Sequence, residues 1–112
     1  MLERAVFFLS DQTGVTAEAL GHSLITQFVG QNFRQMTLPF ISTEDKAREA
    51  VRAINAASEG NVLKPIVFST LVQPELRVIV KEAEGLHLDI FDAFLEPLSS
   101  ELNESPTFAL GG

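Results

Sequence analysis

The chain has 112 residues, 15 of them acidic and 8 basic, for a formal charge of −7 at pH 7. That length suits one domain with a single core and leaves no room for two. The acidic balance, with no local basic patch, argues against nucleic acid or an anionic membrane as the main partner. Cysteine is absent, which excludes disulfides, thiolate-held zinc and a cysteine nucleophile. The two histidines, His22 and His87, lie too far apart to suggest a His-rich metal site, so no metal ligands are assigned. No apolar run reaches membrane-spanning length. Met1-Leu2-Glu3-Arg4 lacks the basic start and long apolar stretch of a secretory signal, and a cytoplasmic location is expected.

Ala5 to Leu9 is an unbroken apolar run of strand length, as expected of a strand buried on both faces, and it ends in the polar, glycine-containing stretch Ser10 to Thr16. A helix is predicted from Ala17 to Val29, with Leu20, Leu24 and Phe28 as its core stripe, Ile25 and Val29 beside them, and Gly30 as its stop. Phe33 to Phe40 reads as an edge strand, because an edge can spare the ladder donor that Pro39 lacks. Ser42 or Thr43 caps the next helix, whose Ala47, Ala50, Val51, Ile54 and Ala57 form a narrow face for close packing on a sheet; Glu59-Gly60-Asn61 ends it. Ile66 to Phe68 is a short buried strand after Pro65. Pro74 suits the first turn of a helix, where the missing N–H has no partner to lose; Leu76, Ile79, Val80 and Ala83 face inward and Gly85 is the stop. Leu86 to Phe91 is a fourth strand, and a last helix runs from about Asp92 to Asn103, begun or interrupted near Pro97. Residues 1–104 make one domain, and 105–112 read as a linker.

Four strands alternating with four helices require parallel pairing through right-handed crossovers. The expected fold is α/β with three layers: a mainly parallel four-stranded sheet with helices on both faces. Ligands of such sheets sit outside the carboxyl ends of the strands, where the strand order reverses.

The first strand-to-helix loop carries most of the chemical signal. Gly14 lets the backbone turn without a Cβ clash, Thr13 and Thr16 supply hydroxyls, and the helix start supplies free N–H groups and a partial positive charge. Together with Ser10 they suit an anion, above all phosphate. The alternative is local: Thr13 or Thr16 caps the helix and Asp11 ties the loop in an Asx-turn. If strands one and three are neighbours, Ser69 and Thr70 face the Ser10 loop and complete a shallow polar pocket. Asp89 is another junction residue, while Ser42, Thr43 and Asp92 read as caps and turn formers. His22 lies one turn after Glu18 and pairs with it in solvent. His87 begins the fourth strand, at the wrong end of the sheet for a site, and no catalytic residue is assigned. Arg77 and Lys81, like Arg48 and Arg52, read as solvated helix faces.

Thr13-Gly14-Val15-Thr16 resembles the Thr-Gly-x-Thr phosphate loop of flavodoxins, and the expected topology is Rossmann-like or flavodoxin-like. Three features argue against a flavin: Asp11 stands where that pattern has a hydroxyl residue, its charge opposes a phosphate, and Tyr and Trp are absent. Read as one string, Val6 to Ser23 (VFFLSDQTGVTAEALGHS) resembles the opening of the phosphoenolpyruvate synthase regulatory protein family, which includes the pyruvate, phosphate dikinase regulatory proteins. Thr37-Leu38-Pro39-Phe40, Pro65 to Val72 with Pro74-Glu75-Leu76-Arg77, and Asp89-Ile90-Phe91 with Pro97-Leu98 follow in that family's order, so the likeness covers nearly the whole chain.

The resemblance implies a bifunctional switch. ADP is the phosphoryl donor to a threonine on the dikinase or synthase, which inactivates it, and inorganic phosphate later removes that group as pyrophosphate. It also implies a nucleotide site in a second, C-terminal domain, in a phosphate loop of the Gly-x-Ser-Arg-x-x-Lys-Thr kind. No such segment occurs in these 112 residues, so the chain resembles the N-terminal domain alone, with 105–112 leading toward a kinase domain it does not include. By itself it is expected to be inactive and to bind no cofactor; ADP and phosphate are implied for the full-length family. The implied partners are phosphoenolpyruvate synthase or pyruvate, phosphate dikinase, and the C-terminal kinase domain. On this reading Ser10 to Thr16 holds the target's phosphothreonine or free phosphate, although Gln12 replaces the Gly or Ser expected there. Asp11 orients a hydroxyl, holds a metal or forms a turn, and the sequence leaves these open. The alternative is a stand-alone phosphate-ligand-binding or protein-interaction domain of flavodoxin-like fold, which recognises the target or forms a homodimer through its helix faces.

Overall fold

A computed structural model describes residues 3–60 and 63–107. The strands β1 (Arg4–Leu9), β2 (Phe33–Leu38), β3 (Ile66–Ser69) and β4 (Leu86–Asp89) alternate with the helices α1 (Val15–Ile25), α2 (Glu44–Ser58), α3 (Pro74–Val80) and α4 (Ile90–Leu102). Every strand pairing is parallel, in the order β2-β1-β3-β4. The chain therefore leaves β1 toward one edge and comes back to the other side of β1 at β3, which puts the reversal of strand order between β1 and β3. This is the three-layer α/β arrangement expected from the sequence, with β2 at an edge.

Side-chain alternation along β1 sends neighbouring residues to opposite cores. Ala5, Phe7 and Leu9, with Val67 of β3, pack against Ala47, Ala50 and Ile54 of α2 and Leu76, Ile79 and Val80 of α3. Val6 and Phe8, with Phe68 of β3, pack against Ala17 and Ile25 of α1, and Ile90 of α4 joins them. The rings of Phe8 and Phe68 stack at 5.8 Å between centroids, and Gly21 lies directly over them: a Cβ there would stand 2.4 Å from Phe8.

That close approach corrects the predicted face of α1. The helix buries Ala17, Gly21 and Ile25, not the Leu20, Leu24 and Phe28 stripe, because the two phenylalanines of the sheet already fill the space under Gly21 and leave no room there for a larger residue. The helix also stops at Ile25, where the Thr26 N–H bonds back to the His22 carbonyl; Gly30 lies beyond the end and does not stop it. Thr43, not Ser42, caps α2 by accepting from the Lys46 N–H at 3.2 Å. Helix α3 ends at Val80, ahead of Gly85, whose lack of a side chain instead lets the chain pass the Pro65 carbonyl, 2.8 Å from where a Cβ would sit. Asp89 closes β4 and caps α4, accepting from the N–H groups of Phe91 and Asp92 at 3.1 and 3.2 Å. The last helix therefore begins at Ile90 rather than near Asp92, and Pro97 lies inside it. Asn61, the expected end of the α2 segment, lies outside the described residues, as do residues 108–112 of the expected linker. No described helix is long and apolar enough to cross a membrane.

Candidate functional site at the β1 and β3 carboxyl ends

Strands β1 and β3 end side by side in Ser10-Asp11 and Ser69-Thr70, and all four residues are buried. Polar groups in such a place have to find partners, and three of the four do. Ser10 Oγ accepts from the Gln12 N–H at 3.0 Å and Ser69 Oγ from the Leu71 N–H at 3.3 Å, so each serine turns its chain out of the sheet. Thr70 donates twice to the Leu9 carbonyl, from its N–H at 3.0 Å and its Oγ1 at 3.4 Å, and so ties the two loops together. The chain leaving β2 closes a third side: the Ile41 N–H donates to the Ser10 carbonyl at 2.9 Å and the Phe40 N–H to the Gln12 carbonyl at 2.8 Å. Phe40 takes up the left-handed conformation, φ 57°, at that point.

Asp11 is the exception. It is 6% exposed, and neither carboxylate oxygen has a hydrogen-bond partner. Burial pushes its carboxyl above the ordinary aspartate range; the nearby N–H groups of Val72 and of Asp11 itself oppose that shift without reaching good hydrogen-bond geometry. No Asx-turn forms.

Helix α1 follows this loop. Its N-cap is Gly14, at φ +91°, and no side chain caps the first turn, so neither Thr13 nor Thr16 does the local job that was the alternative to ligand binding. Gly14 is pressed against β2, where a Cβ would stand 2.7 Å from Thr37 Cγ2. Thr37 Oγ1 in turn donates to Glu18 Oε2 at 2.7 Å. Glu18 is thus held by β2, and the expected pair with His22 does not form; His22 Nδ1 lies 3.1 Å from Gln35 Oε1. Of the residues singled out in the sequence, the fold brings Ser10, Asp11, Gly14, Ser69 and Thr70 together in the buried part. Thr13 and Thr16 stand exposed on the rim of the same loop.

A charged cluster missed as such by sequence reasoning flanks these loops on the β4 side, where Asp89 is in register with Ser69. Arg77 on α3 donates through Nε to Asp89 Oδ2 at 2.9 Å, and also bonds Asp92. Lys81 Nζ donates to Asp92 Oδ2 at 3.1 Å. The Lys81 hydrogen bond, against an opposing effect of burial and with the help of Arg77, holds the Asp92 carboxyl below the usual carboxylate range. Arg77 is largely buried here, not on a solvated helix face. The signal for it was the meeting of an i, i+4 basic pair on α3 with aspartates at i, i+3 across the β4 to α4 junction. His87 stays out of the site, its Nε2 2.8 Å from the Ala83 carbonyl oxygen.

Chemically the loop carries opposites. The uncapped start of α1 offers N–H donors and a partial positive charge suited to an anion, and Asp11 offers acceptor oxygens that lack a donor.

Among known proteins, 47% of residues are identical over 110 positions to a protein of Marinobacter nauticus, 49% over 108 to one of Herminiimonas arsenicoxydans, and 43% over 110 to one of Pseudomonas aeruginosa. Each of these is provisionally named a phosphoenolpyruvate synthase regulatory protein. The matches take in 96 to 98% of the present chain and 38 to 41% of each relative, so the chain spans about two-fifths of their length. A family model described as kinase/pyrophosphorylase matches residues 6–112, and the chain belongs to that kinase/pyrophosphorylase family.

Proposed function

We propose that this domain works within a regulator that phosphorylates and dephosphorylates phosphoenolpyruvate synthase or pyruvate, phosphate dikinase, and that its β1 to α1 loop holds the phosphate-bearing group. In one direction a target threonine hydroxyl takes a phosphoryl group from ADP, leaving AMP. In the other, inorganic phosphate takes that group from the phosphothreonine as pyrophosphate. The nucleotide belongs to a phosphate loop outside these 112 residues. The share of this domain is to fix the group that gives or receives the phosphoryl, because most of the catalysis in such transfers is positioning and charge stabilisation.

The observation that carries this reading is the buried Asp11, without partners, in the same β1 to α1 loop as the uncapped first turn of α1. Thr13, Gly14 and Thr16 supply donors to phosphate oxygens at the helix start, and Ser10, Ser69 and Thr70 shape the floor. Asp11, whose carboxylate oxygens have no donor, accepts the hydroxyl proton of the threonine in the hydrogen-bonding sense.

The test uses a chimera in which this chain replaces the matched stretch of the Marinobacter nauticus relative. Thr13→Ala with Thr16→Ala lowers both the ADP-dependent and the phosphate-dependent reaction by about 100-fold or more, a scale typical of lost anion-stabilising donors. Unchanged rates in both directions overturn the reading. An alanine scan of helix faces that abolishes target binding while the loop variants stay active favours a recognition role instead.

A further inference from the structure

Parallel sheets keep both faces covered, and one face here is bare at β4. On the α1 side, Leu88 is in register with Phe68, which is in register with Phe8, so it continues a core row; yet Leu86 and Leu88 are exposed. A groove of about 460 Å³ opens at this point, floored by Phe68 and Leu88 and walled by Leu20 and Leu24 of α1 and Phe94 of α4. The groove runs on into α4, which has no buried residue. Phe94, Leu98 and Leu102 are 56, 53 and 66% exposed, and their spacing of four sets them in one stripe. A contiguous apolar surface of this kind marks an interaction site.

We propose that this groove and stripe are the docking surface for an amphipathic helix with basic flanks, supplied by the polypeptide that the longer relatives carry beyond the matched stretch. Length is the first argument: only 41% of the Marinobacter nauticus protein is matched, which leaves more than half of that protein to supply such a helix. The bare face of a parallel sheet, one helix wide, is the place where a helix completes the layer. Charge is the second argument, and it selects against another copy of this chain. Helix α4 carries no Lys or Arg, Glu101 stands beside the apolar stripe, and the chain as a whole carries −7, so a second copy brings like charge to the same seam. A helix with Lys or Arg beside its apolar stripe meets complementary charge at Glu101.

Amide hydrogen exchange tests this on whole proteins: the 112-residue chain, the full-length Marinobacter nauticus relative, and the chimera described above. In the chain alone, monomeric by light scattering, Ile90–Leu102 exchanges faster than α2. The aligned helix of the relative and α4 of the chimera exchange about 10-fold more slowly or better, as expected of a docked element. Leu98→Glu in the chimera removes that protection and leaves β1 protected; Glu101→Lys, which spares the apolar stripe, also weakens it. Equal exchange in the chain and the longer proteins overturns the proposal, as does an α4 already protected in the monomer. Protection that appears only when the chain dimerises overturns it in favour of a second copy.

Discussion

Gly14 joins the fold to the candidate site, and replacing it separates two physical costs that the structure lets one predict. Gly14→Ala puts a Cβ on a residue at φ +91° and 2.7 Å from Thr37 Cγ2. The left-handed conformation costs an alanine about 1–2 kcal/mol. The steric part adds about 1–3 kcal/mol, the usual range for overpacking, because the contact is shorter than the roughly 3.5 Å at which carbons rest and Thr37 is anchored by its bond to Glu18. The sum is about 2–5 kcal/mol. Thr37→Ser removes the offending methyl and keeps the oxygen that holds Glu18, so the double variant G14A/T37S recovers the steric part and retains the backbone part, about 1–2 kcal/mol. Urea denaturation followed by circular dichroism reads both values; with slopes of about 1–3 kcal/mol per molar, the single variant moves the midpoint by about 1 M or more. The reasoning fails if G14A matches the parent, or if it costs the same with and without T37S.

Three further outcomes follow from the same contacts. Because burial raises the folded-state pKa of Asp11 above its ordinary value of 3.8, the native state binds the proton more tightly, and stability falls as pH rises from that value through the raised one. Asp11→Asn is therefore the more stable protein at pH 7, by about 1–3 kcal/mol, and the two converge below pH 3.8; thermal melts across pH check the crossing. Arg77→Met leaves Asp89, 7% exposed, with Lys81 at 3.7 Å as its one remaining cation beside its two cap hydrogen bonds, and lowers stability by about 3 kcal/mol, the low end for breaking a buried pair; a loss below about 1 kcal/mol counts against the cluster. Gly21→Ala destabilises in urea despite the roughly 1 kcal/mol of helix propensity it gains, since its Cβ would lie 2.4 Å from Phe8, whereas Gly30→Ala, with nothing within 4 Å, is neutral.

Much of this was readable in the sequence where the signal is local. Continuous apolar runs marked β1 and β3, and the Ala47, Ala50, Ile54 spacing marked the inner face of α2; β2 is the edge strand expected, although it ends at Leu38, before the Pro39 on which that expectation rested. The face of α1 was not, because hydrophobicity ranks Leu20, Leu24 and Phe28 above Ala17 and Gly21, while the packing under α1 is decided by how much volume Phe8 and Phe68 bring from the sheet. The start of α4 was hidden because Asp89 is both the last strand residue and the cap. At the site, residue types pointed to the loop, and the pairing of β1 with β3 brought Ser69 and Thr70 beside it. That Asp11 is buried without a partner, while Thr13 and Thr16 are exposed, depends on contacts with Val72, Leu38 and Ile41 that no local pattern encodes. Arg77 was misread for the same reason: its burial comes from a junction twelve residues away in sequence.

The most direct measurement is a nitrogen-15 correlation spectrum of the chain titrated first with inorganic phosphate and then with a phosphothreonine peptide. The account predicts saturable shifts concentrated in the amides of Ser10 to Ala17 and of Thr70 and Leu71, larger for the phosphothreonine peptide than for its unphosphorylated form and lost in the Thr13→Ala, Thr16→Ala variant. Spectra that do not change, or that change only along α4 and β4, contradict it.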